Sequence, residues 1–161
     1  MSEPLAFLLT FRTYGSWLHG DERGSVDRAH NVPGEPYLPP DPQRARWERR
    51  CMHSHALVLD EQMRRVVAEA VGDQCSHRNW ELIALGVRTN HVHVVIAYAG
   101  VPPERMIREL KSRATRWLRE RRRVSPMQRV WAAGGSRKYL WRPEQVRDAV
   151  AYVQEGQDVP R

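Results

Sequence analysis

Apolar residues gather in three short stretches whose pattern predicts β-strands. Residues 5–12 (LAFLLTFR) are almost continuously apolar, which is typical of a central strand buried on both faces. Residues 80–87 (WELIALGV) and 89–97 (TNHVHVVIA) are rich in Leu, Val and Ile, and these residue types favour strands. A tight turn through residues 88–90 leads into the last stretch, so we expect an antiparallel hairpin.

Two longer stretches repeat apolar residues every three or four positions, which predicts helices. The first covers residues 61–77 and follows Asp60, a residue type that is favoured as an N-cap. The second covers residues 104–121. It is opened by Pro102 and Pro103, since proline is tolerated in the first turn of a helix.

A third helix is predicted from Pro143 to Gly156, a residue type that commonly ends helices. One face of this helix is apolar and consists of Val146, Ala149, Val150 and Val153. At about 100° per residue, Tyr152 lies about 110° from the centre of that face. Its side chain is therefore expected at the border between core and solvent, with a hydroxyl that can reach outward.

A glycine-containing segment separates the second and third helices. Residues 129–131 (RVW) and 139–141 (YLW) have the composition of short strands, and they flank residues 134–138 (GGSRK). Successive backbone N–H groups in a glycine turn beside two cations can hold a phosphate. A plain hairpin loop has the same pattern, so both interpretations stay open.

The order strand, helix, strand, strand, helix, strand is that of a ferredoxin-like α+β fold. We expect an antiparallel sheet with helices on one face and an added C-terminal helix that carries Tyr152. The chain is interpreted as a single domain, residues 1–161. Within it, residues 21–50 contain five prolines and little periodicity, which indicates a Pro-rich insertion over the core.

Composition narrows the class of partner. The net charge of the 161-residue chain is +7, which favours a polyanion, and nucleic acid above all. Residues 104–123 alone hold nine cations and three acids, a one-sided bias that favours contact with a phosphate backbone. With two Cys, no signal-peptide pattern and no membrane-spanning run, we expect a cytoplasmic protein without a membrane partner.

His91 and His93 are two residues apart on a predicted strand, so both imidazoles point to the same side. Neutral imidazole is the commonest metal ligand in proteins, although an isolated His-x-His is also typical of two half-buried strand histidines. A metal site, a border tyrosine and a basic helix together suit the cleavage of single-stranded DNA. A metal ion polarises the phosphate, and the Tyr152 hydroxyl attacks it and becomes covalently attached.

The chain resembles the single-tyrosine HUH transposases of bacterial insertion sequences and their domesticated relatives, the REP-associated tyrosine transposases. The similarity is carried by four stretches spread over most of the sequence. They are residues 9–18 (LTFRTYGSWL), 90–95 (NHVHVV), 110–116 (LKSRATR) and 152–157 (YVQEGQ).

The resemblance implies a DNA transposase that nicks and rejoins single-stranded DNA through a 5′-phosphotyrosine. It makes Tyr152 the nucleophile and His91 and His93 the metal ligands. Relatives often place a polar third ligand one helical turn after the tyrosine. That position is glycine here, so Gln157 is expected as the third ligand and Gln154 as a substitute.

The resemblance also implies Mg²⁺ or Mn²⁺ as cofactor, single-stranded or hairpin DNA as partner, and a homodimer. The cations expected at the DNA follow from the basic helix and the glycine segment. They are Arg105, Arg108, Lys111, Arg113, Arg116, Arg137 and Lys138.

Other functions stay open at this point. A domesticated DNA-binding protein that has lost cleavage would keep the same basic helix, and an RNA-binding ferredoxin-like module would show no metal dependence. Structural zinc is a weaker alternative, because its candidate ligands lack the usual paired-Cys spacing. These are Cys51, His53, His55, Cys75 and His77. The remaining tyrosines, Tyr14, Tyr37, Tyr98 and Tyr139, are interpreted as core, cross-strand or loop residues, and Trp17 or Trp47 could stack on a base.

Overall fold

The computed structural model describes residues 2–16 and 56–155. The predicted Pro-rich insertion, residues 21–50, lies outside the described residues, as does Gln157. In chain order the elements are β1 (Ala6–Arg12), α1 (Glu61–Arg78), β2 (Leu82–Val87), β3 (His91–Ala97), α2 (Pro103–Glu120), β4 (Ser136–Leu140) and α3 (Pro143–Gln154).

The four strands form one sheet in the order β2-β3-β1-β4, and all neighbours are antiparallel. This order and the alternation of strands and helices confirm the predicted ferredoxin-like α+β fold. β1 lies in the interior of the sheet, as its apolar sequence predicts, whereas β2 and β4 are the edges.

The sheet is covered on both faces. Helices α1 and α2 pack on one face around Phe7, Leu9 and Phe11 of β1. The shorter α3 packs on the other face, where Ala149 and Val153 meet Val95. Because side chains alternate along a strand, the apolar even-numbered residues of β3 point to α1 and α2, and its odd-numbered residues point to α3.

Local sequence explains where the helices begin and end. Asp60 caps α1 by accepting a hydrogen bond from the Met63 backbone N–H at 2.8 Å, an interaction that contributes about 1 kcal/mol. Asn79 ends the same helix in the left-handed conformation, with φ at 57°, which Asn adopts more readily than most residues. Proline occupies the first turn of both α2 and α3.

The hairpin interpretation, in which residues 129–131 would pair with 139–141, is wrong. Trp131 forms only an isolated bridge to Thr13, and β4 pairs along its length with β1. Residues 136–138 belong to that strand, so the glycine segment is the entrance to an edge strand and not a hairpin loop. Local composition identified strand-forming residues here, but pairing with β1, more than 120 residues away, decided their partner.

Within residues 2–16 and 56–155, no helix combines the length and apolar character that a bilayer span requires.

Candidate active site and basic groove

His91 and His93 lie side by side on the face of the sheet that α3 covers. Their ring centroids are 4.6 Å apart, with the ring planes at 72°. In the sheet register His93 lies between Thr10 of β1 and Gly86 of β2. The His93 side chain is buried, with 5% of its surface exposed, whereas His91 is partly exposed.

Each imidazole is oriented by a hydrogen bond at Nδ1. The Thr10 hydroxyl lies 2.8 Å from Nδ1 of His93, and the Asn90 side-chain oxygen lies 2.7 Å from Nδ1 of His91. An amide oxygen only accepts, so Nδ1 of His91 carries the proton. In the neutral ring the lone pair is then on Nε2, which is the usual arrangement of a metal-binding histidine.

Tyr152 lies on α3, next to the histidine pair of its own chain. The centroid of its ring is 5.1 Å from that of His93, with the ring planes at 67°. The Tyr152 side chain keeps 42% of its surface exposed, so it occupies the border position that the helical periodicity predicted. The structure thus brings together His91, His93 and Tyr152, three residues that the sequence separates by up to 61 positions.

Two residues of the β2–β3 region hold α3 in this place. The Arg88 guanidinium donates to the Val153 carbonyl at 2.9 Å, near the C-terminal end of the helix, where a cation is favoured. Gly86 lets the helix approach the sheet, because a Cβ at this position would lie 3.1 Å from the Val153 carbonyl oxygen. Val153 itself is fully buried.

The described side chains supply some of the ligands that a divalent metal ion needs. Two neighbouring imidazoles with oriented Nδ1 atoms suit one shared cation. Among the residues that the structure describes, no group of three or more His, Cys, Asp or Glu side chains could hold a metal. Gln157 lies outside that part of the chain, and Gln154 is two residues beyond Tyr152, about 200° around the helix. Gln154 is therefore not on the side of α3 that Tyr152 occupies.

A groove lies on the opposite side of the sheet, between α2 and the residues that enter β4. Its volume is about 740 Å³. Four of the predicted DNA-binding cations line it, namely Arg108, Lys111, Arg116 and Arg137, together with Arg119. Arg105, Arg113 and Lys138 do not line this groove. Lys138 is exposed on β4 and shares the sheet face of Thr10 and His93.

Ion pairs reduce the charge that this surface offers. Arg113 pairs with Asp73 of α1, and Arg137 pairs with Glu104. The Lys111 ammonium donates to the carbonyls of Ala132 and Gly134, and burial lowers the pKa of this lysine. Several of the cations that the sequence counts toward a phosphate surface therefore also hold the fold together.

Glu109 links α1 to α2. It accepts hydrogen bonds from Gln74, Arg78 and Arg105. Burial by itself would raise the pKa of the Glu109 carboxyl, but the hydrogen bonds and positive charges of the two arginines outweigh burial and lower the pKa overall. Arg108 has no ion-pair partner among the residues described, so its charge is available to a ligand.

Sequence reasoning missed four residues that build the site: Thr10, Gly86, Arg88 and Asn90. A local signal existed for Thr10, since Thr10 and Arg12 place polar groups on one face of an otherwise apolar strand. For Gly86 and Arg88 the sequence held no comparable signal, because their role depends on where α3 packs.

The structure describes several of the residues that were alternative candidates for the nucleophile or for a zinc site. Cys75 is buried in the core, and burial raises the pKa of its thiol to about 11, so it is not poised to bind zinc. Tyr139 and Tyr98 contact the Phe7 ring, which agrees with their interpretation as cross-strand residues. Tyr14 and His77 are also described; Tyr14 is partly buried, and His77 is exposed in the last turn of α1. The candidates Trp17, Tyr37, Trp47, Cys51, His53 and His55 lie outside the described residues.

Two solved structures share this fold. One is the crystal structure of a protein assigned as a transposase from Deinococcus radiodurans R1, with a TM-score of 0.55 and 12% identity, covering 96% of this chain and 92% of that one. The other is a REP-associated tyrosine transposase bound to a REP hairpin, with a TM-score of 0.51 and 12% identity, covering 94% of this chain and 66% of that one. No curated protein sequence matches the chain.

The sequence itself matches a family model. The model is described as IS200-like transposase, and it aligns with residues 50–144, more than half of the chain. This range contains both histidines of the pair, the basic helix α2 and all of β4, whereas Tyr152 follows it. From this match, the chain belongs to the IS200-like transposase family.

Proposed function

We propose that the protein nicks and rejoins single-stranded DNA through a covalent 5′-phosphotyrosine at Tyr152, with a divalent metal ion held by His91 and His93. Membership of the transposase family supplies the coarser statement, a function related to DNA transposition. The observation that carries the finer proposal is the placement of the Tyr152 ring 5.1 Å from His93, which in turn lies 4.6 Å from His91.

The reaction requires the tyrosine to replace one ester bond by another. The phenol oxygen of Tyr152 attacks the scissile phosphorus, a P–O bond to tyrosine forms, and the bond from phosphorus to the 3′ oxygen breaks. The phenol proton passes, directly or through solvent, to the departing oxygen, which leaves as a 3′ hydroxyl. Attack by another 3′ hydroxyl reverses these steps and rejoins the DNA, so no nucleotide cofactor is needed.

His91 and His93 would hold the metal ion, with Gln157, which lies outside the described residues, as the proposed third ligand. IS200-like transposases generally use a divalent metal. Such an ion, when bound, polarises the phosphate and neutralises charge that develops on its oxygens. Both Mg²⁺ and Mn²⁺ are candidates. Because imidazole nitrogen is a poorer ligand for Mg²⁺ than oxygen is, Mn²⁺ is the ion to test first.

The surroundings of the pair have separate roles in this proposal. Thr10 and Asn90 orient the imidazoles, and Arg88 and Gly86 position the helix that carries the nucleophile. Since the phenol and the histidine pair meet within one chain, we propose that Tyr152 serves the site of its own subunit.

Hairpin DNA is the proposed substrate, because the REP-associated transposase of similar fold is bound to a REP hairpin. The cations of the groove, Arg108 and Arg116 foremost, are proposed to contact its phosphates. We further propose that the chain is a single domain that acts in the cytoplasm as a homodimer, with residues 21–50 as an insertion over the core.

The test is an adduct assay with labelled single-stranded hairpin DNA and Mn²⁺. The wild-type protein should give a band that survives SDS and runs with the combined mass. Tyr152→Phe should abolish this band and leave binding intact, because only the phenol oxygen is removed. Tyr98→Phe, which changes another partly exposed tyrosine, is the matched control and should keep the band. A wild-type protein that binds DNA and forms no adduct would instead be an inactive DNA-binding protein.

A further inference from the structure

Two large aromatic side chains lie exposed at the β4 edge of the sheet. Tyr139 keeps 40% and Trp141 keeps 46% of its surface in solvent. Their rings are stacked, with centroids 6.0 Å apart and planes at 26°. Neighbouring exposed aromatic rings lose the free energy that burial would provide, so such a pair marks an interaction surface.

The pair is held in place from beneath. Tyr139 lies opposite Phe7 in the register of β1 and β4, and the two rings meet edge to face at 5.0 Å and 82°. Phe7 is almost fully buried. The outer surface of the aromatic pair is therefore presented by a fixed support, and a ligand that stacks on it need not first order the rings.

The charge around the pair identifies the chemistry of its partner. Residues 137–142 contain three cations, Arg137, Lys138 and Arg142, and no acid. Lys138 and Arg142 are exposed and have no ion-pair partner within the described part of the chain. The side chains of Lys138 and Tyr139 point to opposite faces of β4, so this cation borders the aromatic pair at the strand edge. Exposed aromatic rings with cations beside them are the arrangement that binds unpaired nucleobases and the phosphates joining them.

The aromatic pair continues the basic groove. Arg137 and Tyr139 are alternate residues of β4, Trp141 follows directly after its end, and Arg137 also lines the groove. The other end of β4 is separated from the histidine pair by β1 alone, because Ser136 is opposite Thr10, the partner of His93. At about 3.4 Å per residue, Tyr139 and Trp141 lie about 10–17 Å from Ser136 along the direction of β4. A single DNA strand with bases stacked at about 3.4 Å per nucleotide spans this distance in three to five nucleotides.

We propose that Tyr139 and Trp141 form a stacking platform for unpaired DNA bases that adjoin a duplex in the basic groove, an inference that rests on the proposed function for its substrate. A second copy of the chain is the competing occupant of an edge strand. A two-fold pairing of β4 with itself would bring Lys138 and its neighbours close to the same cations of the copy. Like charges that face each other across strands are destabilising, so the charge favours DNA.

The experiment measures binding without cleavage, by fluorescence anisotropy in EDTA. It uses a twelve-nucleotide oligo(dT) and an abasic oligonucleotide of the same length, which keeps the phosphates and lacks the bases. Wild-type protein should bind the first more tightly. Trp141→Ala should weaken oligo(dT) binding by about 5- to 150-fold, the range of one lost base stack, and leave abasic binding unchanged.

Further variants separate the loss of a base stack from a loss of folding. Trp141→Phe keeps a ring and should restore most of the preference for bases, while Tyr139→Ala should reduce it. Met127→Ala removes an apolar side chain that is 83% exposed elsewhere, and it should change neither affinity. An unchanged preference in folded Trp141→Ala, or an equal loss for both oligonucleotides, would overturn the proposal. So would a wild-type dimer that Trp141→Ala converts to monomers without altering the preference.

The outcome is separable from that of the proposed function. Because the assay excludes metal and needs no adduct, a base preference that depends on Trp141 supports the platform even if Tyr152 proves not to be the nucleophile. Conversely, an adduct at Tyr152 with no role for Trp141 would leave the proposed function intact and refute the platform.

Discussion

Gly86→Ala tests whether the close packing of α3 on the sheet sets the position of the tyrosine. The added Cβ would lie 3.1 Å from the Val153 carbonyl oxygen and 3.2 Å from its Cγ1 atom. Ordinary contact begins at 3.4 Å, so the helix backbone must retreat by about 0.3 Å (3.4 − 3.1). The residue that must move is the immediate neighbour of Tyr152.

The expected effects on stability and on chemistry differ in size. Overpacking costs about 1–3 kcal/mol, and replacing glycine in a strand returns about 0.5–1 kcal/mol, so the net loss should be about 0–2.5 kcal/mol. A misplacement of about 1 Å can cost about 100-fold in rate. If the barrier grows in proportion to displacement, a shift of about 0.3 Å should slow adduct formation about fourfold.

The assay is single-turnover adduct formation with hairpin DNA and saturating Mn²⁺, combined with urea unfolding. Gly72→Ala is the matched control, because a Cβ at this helical position meets nothing within 4 Å. It should raise stability by about 0.5–1 kcal/mol and leave the adduct rate unchanged. A Gly86→Ala protein that is folded and forms the adduct at the wild-type rate would refute the reasoning, as would an equal loss in the control.

Three further predictions concern single contacts. Thr10→Val removes the hydroxyl that orients His93 and should raise the Mn²⁺ concentration for half-maximal adduct formation by about 10- to 100-fold. Thr10→Ser keeps a hydroxyl and should restore the wild-type concentration. An equal Mn²⁺ requirement in Thr10→Val and wild type would contradict the role of Thr10 in orienting His93. Arg88→Ala removes a charged hydrogen bond to Val153 and should lower the free energy of unfolding, measured in urea, by about 1.5–3 kcal/mol. A loss under about 0.5 kcal/mol, as an ordinary surface substitution gives, would contradict this role. Because the pKa of Glu109 is lowered in the folded protein, its contribution to the free energy of unfolding is complete above the ordinary carboxyl pKa and is lost as pH falls through the folded-state pKa. Glu109→Gln should therefore flatten the acid side of the curve of stability against pH. An unaltered acid side would exclude Glu109 as its source.

Short-range patterns predicted most of the architecture. The period of two placed both histidines on one side of β3, and the period of 3.6 placed Tyr152 at the edge of the buried face of α3. Asp60 was recognisable as a cap because the interaction spans only three residues. These features depend on neighbours in the chain, which is why the sequence alone could reveal them.

Long-range pairing decided what the sequence did not reveal. The hydrogen bond between Thr10 and His93 joins residues 83 positions apart, and the ion pair of Arg113 with Asp73 joins residues 40 positions apart. The first contact orients the candidate metal ligand, and the second reduces the charge of a surface that composition indicated to be strongly basic. The same limit explains the wrong hairpin at residues 129–141, where pairing with β1 prevailed over the local pattern.

The most direct test of the central claim is to identify the residue that carries the DNA. The Mn²⁺-dependent adduct is digested with nuclease and protease, and tandem mass spectrometry then locates the remaining nucleotide. We expect a single modified residue, Tyr152, attached through the 5′ phosphate. A nucleotide on any other side chain, or an adduct that forms equally well without a divalent ion, would contradict it.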